Sequence, residues 1–85
     1  MADLQQFEDA YDRAEAAYVG GIQADLPRAE MARLAGAVAA AADELNTEAY
    51  RRLSASPESE ELDRLTDLTE PLNELWTDIH NAYRA

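Results

Sequence analysis

The chain lacks cysteine and lysine, has a single histidine, and carries three residues each of glycine and proline. Without cysteine there is no disulfide framework, no thiolate metal site and no thiol nucleophile. Without lysine there is no Schiff base and no phosphate-loop ammonium. Gly20-Gly21 has neither the spacing nor the strand–turn–helix context of a phosphate cradle. No basic region followed by an apolar run opens the chain at Met1–Gln5, and no apolar stretch approaches the length of a membrane span. The expectation is a soluble, cytoplasmic protein. Aromatics make up 7% of the residues, and much of the 47% hydrophobic content is alanine, so one domain with a thin core is expected.

Charge is abundant and one-sided. All 7 basic residues are arginine, against 18 acids, for a net charge of −11. Direct binding to a nucleic-acid backbone or an anionic membrane is disfavoured by long-range repulsion. A GC-rich or halophilic genome accounts for such a composition, and so does a surface directed at a basic partner.

The stretch from Ser56 to Arg84 organises the rest. Leu62, Leu65, Leu68, Leu72, Leu75, Trp76, Ile79 and Tyr83 recur at steps of mostly three or four, the spacing of one side of a helix. Glu60, Asp63, Asp67, Glu70 and Glu74 line the other side. Ser56 as cap, Pro57 in the first position and Glu58 in the first turn mark the start. Pro71 interrupts the pattern, and the unbroken apolar register across it favours a kink over a break.

Upstream, Asp3 and Gln6 form a capping-box-like pair. Leu4, Phe7, Tyr11, Ala14 and Tyr18 then share one face, and Gly20-Gly21 offers a left-handed stop, with a bent continuation to Ala24 as the other outcome. Asp25 and Pro27 open a second helix whose stripe is Met31, Leu34, Val38, Ala42, Leu45, Ala49 and Leu53. Its alanine-rich middle lets neighbours approach closely. The pattern thus predicts an all-α, antiparallel three-helix arrangement in one domain, with helices over about 3–19, 26–54 and 57–84.

The first helix spans about 25 Å and the other two about 40 Å each. It cannot cover the end that holds Leu45, Ala49, Leu53, Leu62 and Leu65. Those five are the candidate apolar interface, for a homodimer or for a docked protein partner.

Chemistry is sparse. His80 has Trp76, Thr77, Tyr83 and Arg84 at helical spacing, none a standard metal ligand, and the Glu-x-x-His pattern of iron-carboxylate bundles is absent. No metal or other cofactor is expected. Close carboxylate pairs are numerous by composition alone, and a bundle with an alanine-rich centre offers little room for a pocket that would separate their pKa values. The Trp-x-Gly turn of the WXG-type helical hairpins, which share this size, is missing too, since Trp76 is followed by Thr77-Asp78. The leading expectation is a non-enzymatic helical protein that regulates or inhibits a protein partner. The alternative is a nucleic-acid-mimicking inhibitor whose row Glu60, Asp63, Asp67, Glu70 and Glu74 occupies a basic groove, the carboxylates being about 5–6 Å apart at Cβ.

Overall fold

The computed structural model describes residues 3–85, which form three α-helices and no strand: α1 (Leu4–Gln23), α2 (Arg28–Ala55) and α3 (Glu60–Arg84). The body measures 45 × 23 × 18 Å. Tyr11 meets Trp76 and Tyr18 meets Tyr83, so α1 and α3 run in the same direction with α2 reversed beside both.

α2 is the hub. Met31, Ala35, Val38, Ala42, Leu45 and Ala49, at alternating steps of four and three, are its buried row. Most are small, so the neighbouring helices approach closely. Tyr11, Val38, Ala42, Leu45 and Trp76 form the core, with Leu4, Phe7, Tyr18 and Leu72 among the side chains packed on it.

α1 passes through Gly20-Gly21 and ends at Gln23, and neither glycine takes the left-handed position. Asp25 takes it instead, at φ 55°. The Asp25 N–H donates to the Ile22 carbonyl and the Leu26 N–H to the Gly21 carbonyl, the pairing of a Schellman stop. Asp25 therefore ends α1 rather than opening α2, which starts after Pro27. Gly21 serves close approach: a Cβ there would stand 2.8 Å from both Leu34 Cδ1 and Met31 Sδ.

The second turn also differs from expectation. The Ser56 N–H donates to the carbonyls of Arg52 and Leu53, so Ser56 closes α2. A Ser59 N–H to Ser56 carbonyl bond then makes a turn with Pro57 at its favoured second position. The cap of α3 is Ser59, whose Oγ accepts the Leu62 N–H at 3.3 Å. From there α3 runs unbroken through Pro71 to Arg84.

Arg28 fastens the far end. Its guanidinium lies 5.9 Å above the Tyr83 ring and donates to the carbonyls of Ala82, Tyr83 and Ala85. The last turn of a helix leaves such carbonyls without intrahelical partners, and a cation suits that negative end.

Candidate partner-binding surface

α3 presents two parallel rows to the rest of the molecule. Leu62, Thr66, Thr69, Asn73, Trp76 and His80 step by four and three along the α2 side. Leu65, Leu68, Leu72, Leu75 and Ile79 follow the same spacing one step round the helix. Burial is the reverse of hydropathy: Thr66 and Thr69 are 2% and 1% exposed, Leu68 and Leu75 63% and 51%.

Among the described residues the buried side-chain polar groups are all paired. Asn46 Nδ2 donates to Thr69 Oγ1 at 2.9 Å, and that hydroxyl donates to the Leu65 carbonyl at 2.8 Å. Thr66 Oγ1 donates to the Asp63 carbonyl at 2.8 Å. Trp76 Nε1 donates to the Tyr11 hydroxyl at 3.0 Å, and that hydroxyl donates to Glu15 at 2.8 Å. Burial, followed by the bond to Glu15, raises the Tyr11 pKa above its ordinary value. Half-buried His80 rests its ring on Gly36, where a Cβ would come within 2.8 Å of Nε2.

Between α1 and α3 the surface is open. No Cα of one helix lies within 8 Å of a Cα of the other. They touch through long aromatics, with Tyr18 edge-on to Trp76 at 4.9 Å between centroids. Two adjoining cavities of about 470 and 290 Å³ run along this groove and share Glu8, Leu65 and Leu68. The second cavity has Leu45 at its floor and Leu72 on its α3 wall. Its α1 wall carries Glu8 and Asp12. Among the described residues neither acid has an arginine within salt-bridge distance.

The five apolar candidates divide. Leu45 and Ala49 are buried, while Leu53, Leu62 and Leu65 are half-buried. Leu62 and Leu65 line the larger cavity beside Leu4. The acidic candidates Glu60, Asp63, Asp67, Glu70 and Glu74 are all exposed. Glu60 stands 3.9 Å from Arg64, and Glu70 accepts the Tyr50 hydroxyl at 2.8 Å. That bond raises the Tyr50 pKa. Helix-surface ion pairs join Arg33 to Glu30, and Glu48 to both Arg51 and Arg52. Hydrogen bonds from Arg51 and then Arg52 hold the Glu48 carboxyl down at about 2.

Leu68 and Leu72 as a groove wall, and Glu8 and Asp12 as its rim, escaped the sequence reading. A signal was present. From Leu75 round to Leu62 the apolar arc of α3 spans about 140° at 100° per residue, more than one neighbouring helix covers. Among the described residues no three His, Asp or Glu side chains converge to hold a metal ion, and no helix is long and apolar enough to cross a membrane. The architecture defined by these contacts is an open three-helix bundle. No protein-family model, curated protein or solved structure matches the chain.

Proposed function

We propose that this chain is a non-enzymatic interaction protein that regulates or inhibits a protein partner by accepting one of its helices between α1 and α3. The observation that carries this reading is the exposed Leu68 beside half-buried Leu65 and Leu72, in a groove whose walls share α2 as neighbour and do not close on each other. A helix laid there antiparallel to both walls gives the packing of a four-helix bundle. It removes from water the kind of contiguous apolar strip that marks an interface.

The test compares the wild-type chain with Leu68→Gln as bait, after circular dichroism shows equal helicity. Loss of a captured protein with Leu68→Gln is expected. Capture unchanged by that substitution overturns the groove as the site.

The second reading, a nucleic-acid mimic, draws on the row Glu60, Asp63, Asp67, Glu70 and Glu74, where Arg64 is the cation nearby among the described residues. It requires capture that disappears at high salt and on replacement of Glu60, Asp63, Asp67 and Glu70 by glutamine. A homodimer is the remaining possibility for the apolar surface, and light scattering at low and high salt detects it.

A further inference from the structure

Resting on the helix-accepting reading, we infer that the occupant of the α1–α3 groove is a basic amphipathic helix, with an apolar row for α3 and lysines or arginines for α1. The groove is asymmetric. At the smaller cavity its α3 wall is mainly aliphatic, with Leu65, Leu68 and Leu72 beside Thr69, while the larger cavity also takes Glu61 and Arg64 from α3 and Arg52 from α2. The α1 wall of the groove carries Glu8 and Asp12, with Glu15 one turn further along the same side and already accepting from Tyr11. A helix whose cations lie beside its apolar row meets both walls at once.

The cavities of the groove run along α3 from Leu62 to Leu72, about 15 Å at 1.5 Å per residue, so about three turns of helix fill them. The net charge of −11 adds long-range attraction for a cationic segment. It works against a second copy of this chain. At about 100° per residue, Arg64 lies next to the leucine row of α3 on its outer side, with Glu60, Asp67 and Asp78 beyond it. A second α3 entering the groove would bring three acids against one arginine toward Glu8 and Asp12, so the balance of charge there opposes association.

Two synthetic peptides of about 18 residues test this. Both carry leucines at the a and d positions of a heptad; one has lysine at e and g, the other glutamate. Each is titrated into the intact chain by fluorescence anisotropy. The lysine peptide is expected to bind about tenfold more tightly at low salt, with the preference shrinking as salt rises. Glu8→Gln with Asp12→Asn should remove most of that preference, while Glu70→Gln with Glu74→Gln, on the opposite side of α3, should leave it. Leu68→Gln should weaken whichever peptide binds.

Equal binding of the two peptides, both sensitive to Leu68→Gln, overturns the basic occupant and leaves the helix-accepting groove standing. An equal loss from both pairs of acid substitutions also overturns the inference, since attraction would then be to acidity at large. Failure of both peptides to bind sinks the groove reading itself. A dimer that Leu68→Gln converts to monomer puts a second copy in the groove, and the basic occupant is then wrong.

Discussion

Two rows of α3 share one spacing and have opposite environments. Thr66, Thr69 and Asn73 turn to α2 with Trp76 and His80, whereas Leu68 and Leu75 stand largely in solvent. Hydropathy alone would exchange them. The separation of the backbones decides otherwise. α2 offers Ala35, Gly36, Ala42 and Ala49 to its neighbours, which brings α3 near enough that threonines fill the gap. Their hydroxyls return to carbonyls of α3 itself, so burial leaves no orphan donor. Among the described residues no buried side-chain nitrogen or oxygen lacks a partner. Close packing here outranks hydrophobicity, and the displaced leucines become the surface on which function is proposed.

The comparison is broken most directly at adjacent positions. Trp76→Ala opens the core and removes the donor to Tyr11, at an expected cost of about 3–5 kcal/mol, whereas Leu75→Ala should stay within about 0.5 kcal/mol. Urea denaturation followed by circular dichroism measures both, and equal costs would mean that the two rows are not distinct. A finer version sets Thr69 against Leu68. Thr69→Val strips the buried Asn46 amide of its acceptor and should cost about 1–3 kcal/mol. Leu68→Thr, by contrast, should change stability by no more than about 0.5 kcal/mol.

Gly36 and His80 sharpen the same point with a change of sign. Alanine in place of a mid-helix glycine gains about 1 kcal/mol by propensity, but here the new methyl meets the imidazole, and overpacking of this kind costs about 1–3 kcal/mol. Gly36→Ala is therefore expected to destabilise the wild-type chain slightly and to stabilise a His80→Ala chain. A gain in both backgrounds, read from the denaturation midpoints, would show that the ring does not need the space Gly36 leaves.

What the sequence made legible follows from which forces are local. Helix type and order come from spacing within one segment, and Leu62–Tyr83 or Met31–Leu53 show it plainly. Chain ends within the fold depend on competition between neighbouring candidates. Ser56 and Ser59 both suit a cap, and only the turn around Pro57 selects Ser59. Asp25 has the side chain of a cap, yet it sits where α1 requires a left-handed residue. The candidate site was less legible still. The helix lengths point to an end that α1 does not reach, whereas Leu62 and Leu65 lie beside Leu4 at the start of α1, and the spacing leaves Leu68 and Leu72 within one undivided leucine stripe. No property of α3 alone reveals that α2 takes the threonine side. That choice is made between helices, by the small residues of one acting on the other.

The smallest effect belongs to the aromatics that join the two groove walls. Tyr18 and Tyr83 share a 3.1 Å hydroxyl–hydroxyl bond. That bond first, then burial and the charge Tyr83 acquires on ionisation, pushes the Tyr18 pKa from 10.0 up to about 12. The neutral phenol is the form favoured by folding. Its contribution to stability is therefore complete below the unfolded value near 10 and disappears as pH rises through about 12. In wild-type protein the urea midpoint should fall across that window, and in Tyr18→Phe it should start slightly lower and fall less steeply. Tyr11 and Tyr50 also titrate late, so the difference between the two chains is the readout rather than either slope. Parallel slopes would show that the link between α1 and α3 is carried by ring packing on Trp76 without help from the shared proton.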